Sequence, residues 1–179
     1  CSPMWDENEL DVKRIASSWL PTHEVPAFSE SGDFQFQELV KSKSLSANLF
    51  ATAQKPEVIA ILDSFLGAYG DWIALTELEI QKLDEKFKSA AIRHLGDVKL
   101  AYKRMAEGAR ILEEDGLVFR AFQLANESMN VQFLWKSPNA GELSWRPFQL
   151  GFILLNIQSI SDPDSPDRNI CDLLWFPTG

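Results

Sequence analysis

Cysteine and histidine are nearly missing: Cys1, Cys171, His23 and His94 are all that the 179 residues contain. Two cysteines so far apart make neither a metal-ligand spacing nor a disulfide framework, and neither histidine has a ligand cluster beside it. A reducing, cytoplasmic compartment and no metal site are therefore expected. Basic residues are also short, with 17 Lys and Arg against 26 Asp and Glu, a net charge of −9 and a pI near 4.7. Proteins hold nucleic acid chiefly by neutralising phosphates with Lys and Arg. The chain as a whole is thus a poor candidate for a DNA-gripping surface, and a DNA-binding parent would supply positive charge elsewhere. No uninterrupted apolar run of about 18 residues or more occurs, so no membrane span is expected. The opening Cys1-Ser2-Pro3-Met4-Trp5-Asp6 lacks the basic and apolar regions of a signal peptide and does not begin with methionine. Both ends read as cuts, which makes a piece of a longer polypeptide the expectation.

What is present is an ordinary globular composition, 45% apolar and 24% charged. Residues 1–55 read as an irregular, extended N-terminal segment. Val12, Ile15, Trp19 and Leu20 run up to Pro21, and Glu24-Val25-Pro26 follows, a pattern of proline-flanked edge strands. A Ser-, Gly- and Gln-rich stretch from 28 to 55 looks loop-like, with one helix near 45–52. From Pro56 the apolar spacing turns helical. Val58, Ile59, Leu62, Phe65 and Leu66 form one helix that Gly67 and Gly70 loosen or end. A second stretch carries Trp72, Ile73, Leu75, Leu78, Ile80, Leu83 and Phe87. Gly96-Asp97 marks a break before a third helix, about 98–112, and Gly116 separates a fourth, about 117–135. Residues 56–136 are thus expected to be an α-helical accessory domain, antiparallel because its links are short, closed by the turn Ser137-Pro138-Asn139-Ala140-Gly141. Beyond it, Ser144 is placed to cap a helix with Pro147 in its first turn. Phe148, Leu150, Phe152, Ile153, Leu154, Leu155 and Ile157 make that helix apolar almost all round, so it is buried on more than one side. After the polar loop 161–167, the run Ile170–Phe176 fits a strand covered on both faces, and Pro177-Thr178-Gly179 ends it in a turn.

Several residues invite a chemical role, each beside a plainer one. Glu113-Glu114-Asp115 could be an acidic catalytic cluster or a solvated helix end. Lys99, Lys103, Arg104 and Arg110 could touch phosphates or pair with Glu107 and Glu113 along the helix. Asp162, Asp164 and Asp167 have a loose calcium-loop spacing, but the prolines and the missing Gly and Glu argue against an EF-hand. The six tryptophans read as core or interface anchors.

The order of helix, buried strand and Pro177-Thr178-Gly179 resembles the start of a superfamily 2 helicase core of the RecA type, whose first strand feeds a Pro-Thr-Gly-x-Gly-Lys-Thr loop. Such a turn presents backbone N–H groups to phosphate, and glycine lets the backbone come close. Its lysine reaches the β- and γ-phosphates and its hydroxyl holds Mg²⁺; neither falls within the 179 residues, so no catalytic residue is assigned. Phe176 departs from the Ala or Gly that many such loops carry at their first position. Arg146-Pro147-Phe148-Gln149 resembles the Arg-Pro-x-Gln form of the helicase Q motif, with Gln149 lying 28 residues before Pro177. A glutamine amide has a donor and an acceptor to offer an adenine edge, and Trp145 or Phe148 could cover the base. The plainer possibility is a helix start that happens to read Arg-Pro-Phe-Gln.

Residues 146–156, 172–179 and Arg120–Met129, with Cys1–Trp5 and the Leu20-Pro21 and Glu24-Val25-Pro26 pieces, are similar to the large helicase of the DISARM anti-phage system, most specifically over 117–135 and 145–179. That resemblance implies a mainly α chain: a helical accessory region followed by the first helix and strand, 142–179, of a RecA-like α/β core. It further implies ATP and Mg²⁺ as cofactors of the parent, with Arg146, Phe148, Gln149, Pro177, Thr178 and Gly179 at the nucleotide. DNA held by other parts, a protein partner in a defence complex, and a piece inactive on its own complete the expectation. A helical interaction module and a P-loop ATPase without helicase activity are the alternatives.

Overall fold

The computed structural model describes residues 2–5, 12–16, 34–42, 44–139 and 141–171. The chain divides into two compact units, residues 1–30 with 174–179, and residues 31–173. In the first, β1 (Ser2–Trp5) and β2 (Val12–Ala16) pair antiparallel, Ser2 opposite Ala16 and Trp5 opposite Val12, with a register shift between Met4 and Trp5. The second is helical. In chain order it runs α1 (Phe34–Lys41), α2 (Ala47–Thr52), α3 (Lys55–Gln81), α4 (Glu85–Glu114), α5 (Gly116–Lys136), α6 (Pro147–Ser161) and a short 3₁₀ turn, Pro166–Asn169.

Local chemistry explains most of the helix starts. Ser46 caps α2, its hydroxyl accepting from the Leu49 N–H at 3.2 Å. Asp115 caps α5, its carboxylate accepting from Leu117 N at 2.7 Å and Val118 N at 3.1 Å. Pro56 and Pro147 each fall in a first turn, where a missing N–H leaves no helical bond unmade. Gly141 takes a φ of 80°, a backbone region closed to most side chains, and so turns the chain between α5 and α6.

One core holds these helices together. Phe50 and Leu45, Val58, Leu62 and Phe65 of α3, Met105 and Leu112 of α4, Phe119 and Phe122 of α5, and Leu150 and Leu154 of α6 are all buried in it. The turn at 137–141 thus lies between helices that share a core, and residues 45–50 belong to the same core. A smaller cluster, Ile73, Ile80 and Leu95, holds the far half of the α3–α4 pair. The crossing of α4 and α6 is tight, because Gly108 and Gly151 remove a side chain from each helix where they meet; a Cβ at 151 would lie 3.0 Å from Met105 Sδ.

Four expectations need correcting. The helix ending at Gly67 and Gly70 is instead one 27-residue helix, and the break at Gly96-Asp97 lies inside a 30-residue one. A helical glycine costs about 1 kcal/mol, which burial along two such long helices outweighs; the actual turn is Lys82-Leu83-Asp84. Residues 34–41, expected as loop, form α1, whose Phe36 rests 5.7 Å from the Phe65 ring. Arg146, not Ser144, occupies the N-cap of α6, because residues 143–145 run extended, paired with 45–47, and the helix starts only at Pro147. Finally, the RecA-like strand over Ile170–Phe176 is not supported: Ile170 ends the 3₁₀ turn, Cys171 is outside any strand, and 172–176 lie outside the described residues. The fold of the described residues is mainly helical. By length and hydropathy alone α3 is long and apolar enough to cross a membrane; here Val58, Ile59, Leu62, Phe65, Leu66, Ile73 and Ile80 are buried against other helices.

Candidate functional site

The start of α6 carries the first half of the expected nucleotide site. Arg146 is exposed, while Phe148 and Gln149 are half-buried. Gln149 stands three residues into the helix, where its side chain reaches back: Oε1 accepts from the Arg146 N–H at 3.0 Å. That is half of a capping box. The other half cannot form, because a guanidinium has no acceptor. The carbonyl keeps a second lone pair, and the amide N–H₂ points two donors away from this bond. His23, Pro177, Thr178 and Gly179 lie outside the described residues.

The backbone leading into α6 is held from two sides. From the α2 side, Trp145 N donates to Leu45 O at 2.8 Å and Ala47 N to Leu143 O at 2.8 Å. Glu142 accepts from the Ser46 hydroxyl at 2.6 Å and from Asn48 Nδ2 at 3.1 Å. From the α5 side come two amides one helical turn apart. Asn126 Oδ1 accepts from Trp145 Nε1 at 2.8 Å, and Asn130 Oδ1 accepts from Leu143 N at 2.9 Å. Both asparagines are buried, on the stripe that also carries Phe119 and Phe122. Trp145 is therefore tied into the core, which leaves Phe148 as the ring beside Gln149. Sequence reasoning passed over Asn126 and Asn130. Their signal is two poor helix formers on an apolar stripe, since a buried amide there requires partners.

The other candidates resolve into structural contacts. Arg104 is buried, and its Nε lies 2.9 Å from Asp167 Oδ2, so one member of the basic face and one of the aspartate loop form a single ion pair. Lys99 pairs with Glu77, and Arg110 with Glu107 and Glu114. The Arg110 guanidinium holds the Glu107 carboxyl below its usual range. Asp162 Oδ1 accepts from Asp164 N at 2.9 Å in a local turn. Of the Glu113-Glu114-Asp115 run, Asp115 is the cap of α5 and Glu113 O accepts from Lys55 Nζ at 2.7 Å. His94 is exposed on α4, and Trp135 stands 79% exposed. A hollow of about 430 Å³ at the end of α5, lined by Met129, Gln132, Phe133, Trp135, Lys136 and Leu143, has one charged group and no acid–base pair. Among the described residues no group of three His, Cys, Asp or Glu side chains is placed to hold a metal ion.

What these features define is a helical unit that braces the start of a further helix on buried amides. No protein-family model matches the chain. Along its whole length, in an alignment of 198 residues, it is 33% identical to the DISARM protein DrmA of Bacillus paralicheniformis. The chain is thus related to a DISARM protein, and it spans 17% of that protein's length.

Proposed function

We propose that the chain is the N-terminal part of a cytoplasmic, ATP-dependent DNA helicase or translocase acting in anti-phage defence, with residues 142–179 beginning its RecA-like domain. The observation that carries this reading is the whole-length similarity to a DISARM protein. It is supported at the site by Gln149, whose amide is pinned on one side by the Arg146 N–H and keeps a donor and an acceptor for a base edge. Adenine offers a complementary acceptor and donor, whereas guanine presents an acceptor where adenine presents a donor. In this reading Arg146 and Phe148 flank the base. Pro177, Thr178 and Gly179 open the phosphate loop, and Mg²⁺ joins the triphosphate in the full-length protein. The acidic helical unit is an accessory part, leaving DNA and a protein partner of the defence complex to other regions.

The test is Gln149→Ala in the full-length polypeptide, with ATP and GTP affinities measured beside thermal stability. A neutral amide pair is worth on the order of 1–2 kcal/mol, so ATP affinity should fall roughly tenfold and the preference for ATP over GTP should shrink. An unchanged preference, with only a lower melting temperature, would make Gln149 a helix cap and nothing more.

A further inference from the structure

We infer that Asn126 of α5 is a positioning residue for the base-reading edge of α6, acting through Trp145. The inference rests on the adenine reading of Gln149. Asn126 is 3% exposed, and its amide can point only one way. Nδ2 donates to Phe122 O at 2.9 Å, a carbonyl that can only accept; Oδ1 accepts from the Trp145 indole at 2.8 Å, a group that can only donate. The Asn126 side chain therefore has a fixed direction, and the indole is fixed with it. Trp145 directly precedes Arg146, whose N–H is the group that pins Gln149 Oε1 at 3.0 Å.

An unbroken line of bonds thus runs from the α5 backbone through Asn126 and Trp145 to the adenine-facing amide. Hydrogen bonds weaken steeply with misalignment, and a recognition group must be held to within about 0.5 Å of its productive place. The backbone bonds from Leu45 and Ala47 fix the height of the strand-like segment 143–145. The bond from the Trp145 indole to Asn126 adds a side-chain hold at the residue directly before Arg146, whose N–H pins Gln149. Asn130, which grips Leu143 N, is farther from Arg146 and sets the path of the turn.

The experiment uses the full-length polypeptide and reads the ratio of ATP to GTP affinity, with melting temperature alongside. Trp145→Phe keeps an aromatic ring in place and deletes the N–H; Asn126→Ala removes the same bond from the other side. Each should shrink the ATP preference roughly fivefold or more. Neither should add a further loss on top of Gln149→Ala, because all three act through one amide. A core substitution on the same helix, Phe119→Leu, should lower the melting temperature and leave the ratio unchanged. If Gln149→Ala shifts the ratio while Trp145→Phe and Asn126→Ala do not, the positioning role is overturned and the adenine reading stands. If Gln149→Ala itself leaves the ratio unchanged, the adenine reading fails and takes this role with it.

Discussion

A methyl group at position 108 would place its carbon 2.0 Å from the Leu154 carbonyl oxygen and 3.3 Å from Ile157 Cβ. Neither neighbour is a flexible tip: one is the backbone of α6 and the other the root of a β-branched side chain. Helices α4 and α6 would have to separate, opening the core around Met105 and Leu150. Gly108→Ala should therefore destabilise the chain by about 2–3 kcal/mol or more, at the upper end of overpacking costs. At Gly67, also inside a helix, an added Cβ meets nothing within 4 Å. There the substitution removes only backbone freedom, so Gly67→Ala should stabilise by about 0.5–1 kcal/mol. Urea denaturation of both variants checks the pair, and equal effects of one sign would refute the packing account. The same contrast governs Gln149. Its half-box with Arg146 spans three residues and can be read from sequence alone, whereas the Asn126–Trp145 bond joins residues 19 apart across a turn and needs the fold.

The α3–α4 pair brings several aromatic rings together near its middle. Tyr69 stacks on Tyr102 at 6.0 Å with planes 8° apart, tilts against Trp72 at 5.4 Å, and meets Phe36 of α1 at 6.3 Å. Burial among these rings pushes the Tyr69 phenol above its usual value of 10.0. The unfolded phenol therefore releases its proton at a lower pH than the folded one. Stability from this group is fully present below about pH 10 and is lost as pH rises through the folded value. Denaturant midpoints of wild type and Tyr69→Phe, taken at pH 8 and near pH 10.5, should show a larger alkaline loss for wild type. Lysine deprotonation weakens both proteins alike, so the difference isolates Tyr69; equal losses would remove it as a titrating element. Element boundaries were legible where one residue decides them, as with the break read at Gly116 or Pro147 in the first turn of α6. They were misread at Gly67, Gly70 and Gly96, where a local cost of about 1 kcal/mol is set against burial spread along two long helices. Helix α1 was missed for the same reason, since Phe36 and Leu39 acquire their partners from α3 and not from their own segment.

Across the whole molecule, charge decides what the chain can hold by itself. The net charge is −9, and the basic face that could have touched phosphates or paired along its helix is largely answered from within. Lys99 faces Glu77, Arg104 faces Asp167, and Arg110 faces both Glu107 and Glu114. To bind a phosphate, Arg104 would have to leave a buried pair, stranding a carboxylate that is only 19% exposed. Arg110 would have to trade two carboxylates for one phosphate, and Lys103 also lies in the field of Glu107. Even weak non-specific DNA binding, with dissociation constants of roughly 10⁻⁴–10⁻⁶ M, depends on several Lys or Arg contacts acting together. The isolated chain should therefore show no binding to a 20–30 bp duplex at about 0.1 M salt up to tens of micromolar protein, measured by fluorescence anisotropy. Lowering the salt should not rescue it, because weaker screening lengthens the reach of the repulsion between two negatively charged bodies. A micromolar or tighter complex that strengthens as salt falls would mean that a cationic surface is present after all, and that the acidic unit holds nucleic acid by itself.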